Sequence, residues 1–308
     1  MKISSKKLTA LLLAFFAALS ISLIDCSSEA SDTNSAGAEN KKVIIGARDW
    51  AEPYIFAYLT GLALEDAGYT VEYKLDIAGS DLLNDALVKG DIDITANYSG
   101  TLYESLLGHT PIFDKEEEYK TIKTELKERY NIAALDESGI NNSYAMVVTQ
   151  KTAEKYNIVK TSDLVKVSKQ LTFADPGVFW QRERKRLQGL YGSEFDWKSV
   201  NTFDKGLRYK ALLNGEVDVT IAFTTDAELN DSNIFRITDD FPTYQPYYVI
   251  PLARQEILTK YQDIEEIVNG IFAKLTEKDT VNLNYKATVE KEDYDKIARD
   301  WYIANIKK

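Results

Sequence analysis

The sequence predicts an α/β chain folded as two similar lobes, with a ligand cleft between them and two crossover strands joining them. Three observations lead there. Apolar runs of strand length alternate with segments of helical periodicity, the pattern of mostly parallel sheets covered by helices. One motif occurs twice, 125 residues apart. A long C-terminal segment follows the second copy and is free to return to the first lobe.

The elements follow in order along the chain. Lys2, Lys6 and Lys7 precede an uncharged, largely apolar run over residues 8–24, and Cys26 follows almost at once. A basic start and an apolar stretch of this kind read as an export signal over residues 1–25. The tetrad Leu23-Ile24-Asp25-Cys26 resembles a bacterial lipoprotein box, with Asp25 where a small residue is usual; the resemblance implies a lipidated Cys26. Residues 26–41 are small, polar and free of aromatics, as expected of a flexible tether. Residues 42–47 (KVIIGA) form a short apolar run, a buried strand by length and branching. Ile55, Tyr58, Leu59, Leu62 and Ala63 recur at helical spacing, and Gly68 supplies the stop. Residues 70–75 alternate as a strand, Ser80 caps a helix running to Gly90, and residues 91–96 (DIDITA) are strand again. Near the end, Ile264, Ile267, Val268, Ile271, Phe272 and Leu275 share one face of an amphipathic helix.

The repeat is the most informative feature. Residues 86–101 read ALVKGDIDITANYSGT and residues 211–226 read ALLNGEVDVTIAFTTD. In each copy a helix ends at Gly, a strand follows, and an aromatic sits at the strand's carboxyl end, where open α/β sheets bind ligands. Two such lobes face to face would bring Tyr98 and Phe223 to opposite walls of one cleft. The expected lobes are residues 42–143 plus 246–308, and residues 144–245.

Composition removes several function classes. Among 308 residues there are 37 Lys plus Arg against 48 Asp plus Glu, a net charge of −11, which argues against nucleic acid as a partner. A single His and a single Cys cannot build a His/Cys metal cluster, a Cys–His nucleophile or a disulfide framework. No cofactor is called for. Carboxylate chemistry and oxygen-ligated cations survive this count. The acid run Glu116-Glu117-Glu118 is expected to lie in solvent, as are Arg184, Lys185 and Arg186 on one helix face.

Aromatic residues are abundant, with 19 Tyr, 12 Phe and 4 Trp. Tyr98, Tyr144, Phe223 and Tyr247 each stand at the edge of an apolar run beside Gly, Asn, Ser, Thr or Pro. Converging rings suit a quaternary ammonium, which has no N–H to donate and spreads its charge over methyl groups. Each ring face attracts such a cation by about 0.5–2 kcal/mol once water is excluded.

With these motifs the sequence resembles the substrate-binding lipoproteins of ABC importers for glycine betaine, carnitine and choline, the osmoprotectant type with a tyrosine cage. The resemblance covers about residues 42–305. It is carried by VIIGARDWAE (43–52), LEDAGYTV (64–71), NYSGTLYESLL (97–107), NNSYAMVV (141–148), DKGLRYKALLNGE (204–216), PYYVIPLAR (246–254) and LNY (283–285). It implies a periplasmic-binding-protein-like fold of type II and a monomer anchored by lipid to the outer face of the cytoplasmic membrane. Permease subunits would be its partners and a small quaternary amine its ligand. Position by position, it implies a cage of Tyr98, Tyr144, Phe223 and Tyr247 lined also by Thr101, with Arg48 and Arg182 gripping a ligand carboxylate. This sequence departs from the family at Phe223, where Tyr is common, at Pro53, where a polar residue is common, and at Asn97, where Glu is common.

Two other readings stay open on the residues alone. One is a protein of the same fold that binds another small amine or an amino acid. The other is a surface-anchored hydrolase using a carboxylate pair drawn from Glu52, Asp81, Asp175 and Asp226.

Overall fold

The computed structural model describes residues 41–204 and 206–307. The export signal, Cys26 and the tether up to residue 40 lie outside the described residues. Among the described residues ten strands form two five-stranded mixed sheets. The first sheet contains β1 (Lys42–Arg48), β2 (Thr70–Ile77), β3 (Ile94–Tyr98), β4 (Ile132–Ala134) and β10 (Val249–Arg254), in the order β2-β1-β3-β10-β4. The second contains β5 (Tyr144–Thr149), β6 (Thr172–Asp175), β7 (Ser199–Thr202), β8 (Val219–Phe223) and β9 (Ile234–Arg236), in the order β7-β6-β8-β5-β9. Each sheet thus has three parallel strands, then one antiparallel strand that enters from the other half of the chain, then a short edge. The protein is two-lobed and α/β.

The repeated motif makes the same bonds in both sheets. Asp93 accepts from the amide of Ile44 at 2.9 Å, and Asp218 from that of Thr172 at 2.8 Å. Thr95 donates to the Gly46 carbonyl and Thr220 to the Ala174 carbonyl, both at 2.8 Å. The amides of Asp91 and Glu216 return to the carbonyls of Ala86 and Ala211, closing the preceding helix across Gly90 and Gly215, both at positive φ. The Gly-acid-aliphatic-Asp-aliphatic-Thr spelling is therefore a helix stop plus two side-chain clamps that fix strand register. It also delays the strand. Residues 91–93 are spent on the turn and clamp, so β3 begins at Ile94 rather than at the expected residue 91.

Each sheet is buried on both faces, in separate apolar clusters. The helix Ala51–Asp66 is buried along nearly its whole length, between the first sheet and the helices Ile264–Phe272 and Tyr294–Asn305. Pro53 stands in its first turn, where no intrahelical amide bond is lost.

The acid run does not lie wholly in solvent. Glu116 and Glu117 are exposed, but Glu118 is fully buried. In the helix Lys115–Tyr130, Glu118 shares its face with Ile122 and Leu126, four and eight residues on, so the core side of the helix carries it inward. Arg184 and Lys185 are exposed as expected, while Arg186 is half-buried and its guanidinium donates to the Thr243 carbonyl.

The chain crosses between the sheets twice, and the crossings lie side by side. The Asn142 amide donates to the Tyr247 carbonyl at 2.9 Å, the Tyr247 amide to Asn141 Oδ1 at 2.8 Å, and the Ser143 hydroxyl to the Gln245 carbonyl at 2.6 Å.

Candidate functional site

A cavity of about 550 Å³ opens at the carboxyl ends of β3 and β8, beside the two crossings. Tyr98, the last residue of β3, and Phe223, the last of β8, both line it, so the repeat places an aromatic from each sheet on its walls. Tyr247 reaches it from the second crossing. Gly100 makes room for that ring: a Cβ there would sit 2.8 Å from the Tyr247 ring and 2.9 Å from the Pro246 carbonyl. Gly100 thus leaves space for a wall of the site.

Trp50, in the loop between β1 and the helix Ala51–Asp66, supplies a fourth ring and lies nearly parallel to Tyr98, with centroids 6.2 Å apart. Behind it, the Arg48 guanidinium lies 4.1 Å from the Trp50 ring centre, and Arg48 Nη1 donates to Ser80 Oγ at 2.7 Å. Arg48 thus touches the lining residue Trp50 and does not itself line the cavity. Burial holds its guanidinium below the usual range, against Tyr98 and Asp49, which act the other way.

Glu52 closes the floor. Its Oε1 accepts from the Tyr98 hydroxyl at 2.6 Å and from Asn142 Nδ2 at 3.1 Å; its Oε2 accepts from Asn284 Nδ2 at 2.8 Å. Asn284 also donates to the Thr225 carbonyl at 2.9 Å, so the cluster joins the helix Ala51–Asp66, β3, the first crossing, the loop after β8 and the helix Glu277–Thr288. Burial pushes the Glu52 carboxyl up, against hydrogen bonds from Tyr98, Asn284, Thr225 and Asn142 that pull it down. Two further carboxylates line the cavity. Asp226 accepts from Arg208 Nη2 at 2.6 Å and from the Phe223 amide at 2.8 Å; Glu228 is raised by burial.

Tyr144 and Arg182 line a smaller cavity of about 250 Å³, which has Phe223 as the wall it shares with the larger one. Tyr144 stacks on Phe223 with centroids 5.0 Å apart and packs on Phe179 at 5.1 Å. Arg182 Nε donates to Glu183 Oε1 at 2.9 Å, and Arg208 also lines this cavity. Thr101 is half-buried in the turn after Tyr98 and lines neither cavity.

Of the seven residues the sequence nominated, then, three share the main cavity, two share its neighbour, and Arg48 and Thr101 line neither. Sequence reasoning missed Trp50, Asn142, Asn284 and Arg208, though each lies inside a motif that carried the resemblance.

Of the candidate hydrolase carboxylates, Glu52 and Asp226 line the main cavity, and Asp81 and Asp175 do not. Asp175 accepts from the amides of Phe179 and Trp180 at 3.0 Å, capping the helix Phe179–Tyr191, and Asp81 is exposed on its helix. Among the described residues no group of three or more His, Cys, Asp or Glu is placed to hold a metal ion.

Residues 41–304 match the family described as the substrate binding domain of ABC-type glycine betaine transport systems. The chain belongs to this family. It is 30% identical to the carnitine transport binding protein OpuCC of Listeria monocytogenes serotype 1/2a over 94% of this chain and 96% of that protein. It is 28% identical to a glycine-betaine-binding protein of Pseudomonas aeruginosa, over 86% of this chain and 88% of that one. Among solved structures, a crystal structure titled as a glycine betaine/carnitine/choline ABC transporter superposes with a TM-score of 0.80 at 25% identity, covering 85% of this chain and 98% of that chain. Family members are extracytoplasmic binding proteins of importers.

Proposed function

We propose that the protein captures a small quaternary ammonium solute, of the glycine betaine, carnitine and choline group, and delivers it to the permease of an ABC importer. The observation that carries this reading is the convergence of Tyr98 and Phe223, one from each copy of the repeat, on one cavity with Trp50 and Tyr247. Four ring edges and faces around a space of about 550 Å³ suit a trimethylammonium group better than a hydrogen-bonding head. Tyr144 and Arg182, across Phe223, are ready to take a longer ligand's far end, and Arg48 holds Trp50 in place. Thr101 serves by shaping the turn that follows Tyr98.

In this reading the lobes are residues 42–143 plus 246–308, and residues 144–245, supported by the sheet order and the paired crossings. Lobe closure over the ligand follows from walls drawn from both. Residues 1–25 are removed on export, Cys26 carries the lipid, and residues 26–41 tether a monomer to the outer face of the membrane. Fatty-acid labelling of the wild type but not of Cys26→Ser tests the anchor.

Binding without turnover separates this function from hydrolysis. Titration calorimetry with glycine betaine, carnitine, choline and proline betaine should give saturable binding of at least one, a matching rise in melting temperature and no product. Binding of none, or chemical conversion of any, would refute the reading.

A further inference from the structure

The geometry points to selection by net charge: the main cavity favours a trimethylammonium compound without a carboxylate, of the choline type, over a zwitterion of the betaine type. This rests on the quaternary-ammonium reading above and goes a step past it.

The lining decides the sign of the cavity. Glu52, Asp226 and Glu228 contribute to it, and among the described residues it contains no Lys, Arg or His. Arg208 is bonded to Asp226 at 2.6 Å and also acts on Glu228. Neither of the two cations expected to grip a ligand carboxylate lines this cavity. Arg48 faces Trp50 and Ser80, while Arg182 lies in the neighbouring cavity beyond Phe223. A trimethylammonium group held between Trp50, Tyr98, Phe223 and Tyr247 gains from the acidic lining as well as from the rings. A hydroxyl on the same ligand can donate to a carboxylate. A ligand carboxylate only repels it, in a site where burial weakens screening.

Protonation gives the selection a signature. The groups facing Glu52 are Tyr98 from β3, Asn142 from the first crossing, Thr225 from the loop after β8 and Asn284 from the helix Glu277–Thr288; those facing Glu228 are Asp226 and Arg208. Burial holds both carboxyls above the usual range, which favours their neutral forms as pH falls. A bound cation stabilises the ionised forms, and its affinity therefore rises with pH. A zwitterion brings its own carboxylate, which cancels part of that gain.

The test is titration calorimetry of the full chain with choline chloride and with glycine betaine, in buffers from about pH 5.5 to about pH 8. Choline should bind at least about tenfold tighter than glycine betaine at the upper end, a difference of about 1.4 kcal/mol. That ratio should shrink as pH falls. Glu228→Gln, at a half-buried position, should cut the ratio several-fold by weakening choline alone; Glu52→Gln should do the same if it folds. Glycine betaine binding as tightly as choline, or a ratio indifferent to both pH and Glu228→Gln, overturns the inference and leaves the quaternary-ammonium reading standing. Binding of neither ligand overturns the inference, and overturns the quaternary-ammonium reading as well only when carnitine and proline betaine also fail to bind.

Discussion

The Tyr98 hydroxyl donates to Glu52 Oε1 at 2.6 Å, and through this bond a ring wall of the cavity is fixed to its buried floor. Tyr98→Phe removes the donor and keeps the ring against Trp50. Chemical denaturation should show a loss of about 1–3 kcal/mol, the range for a buried bond to a carboxylate. Ligand affinity should change by less than about 1 kcal/mol, because the ring face survives. Tyr98→Ala loses ring and bond together and should cost about 3–5 kcal/mol of stability.

Phe223 divides the two cavities. Removing it in Phe223→Ala should merge them and weaken a quaternary ammonium by about 1–2 kcal/mol, read by calorimetry. Phe223→Tyr keeps the ring and restores the residue common in the family; its affinity should match the wild type or exceed it slightly.

How much of this was legible beforehand depended on range along the chain. The repeat predicted β3 and β8, and with them the meeting of Tyr98 and Phe223, because helix stop, register clamps and terminal aromatic all fall within sixteen residues. The role of Glu52 was not legible. Its partners Tyr98, Asn142 and Asn284 stand 46, 90 and 232 residues away, and only the folded crossings bring them together. Arg48 ends β1, but which way its side chain turns depends on Trp50 and Ser80, a contact with no local signal. Glu118 misled for a simpler reason. Three adjacent acids on a helix read as one solvated run, although helical geometry turns one of them toward Ile122 and the core.

That buried Glu118 makes stability depend on pH. Its carboxyl is pushed up to about 7 by burial, with Ser99 and Gln245 opposing and Glu137 and Glu104 adding to the rise. A carboxyl raised on folding contributes stability that is complete below its unfolded value, near 4.5, and lost as pH rises through about 7. Denaturation midpoints should therefore fall between about pH 4.5 and about pH 8, by up to about 3 kcal/mol from this group. Glu118→Gln should flatten that slope and be the more stable protein at the alkaline end.

Arg48 offers a test of its place behind the wall. With its guanidinium 4.1 Å from the Trp50 ring centre, Arg48→Ala should loosen Trp50 and weaken choline and glycine betaine alike. Calorimetry should find the two losses within about 0.5 kcal/mol of each other, as for a packing effect rather than a lost charge-assisted bond. A loss confined to glycine betaine would place the guanidinium on the ligand instead.

The central claim is that ring faces and an acidic floor hold a quaternary ammonium by its charge. Its most direct test compares choline with 3,3-dimethyl-1-butanol, the same shape with carbon in place of the charged nitrogen, in one calorimetric series on the wild type. Three or four ring faces at about 0.5–2 kcal/mol each should make choline bind at least about 30-fold tighter. Equal affinity for the two would mean that shape and apolar burial alone fill the cavity, and would contradict the account.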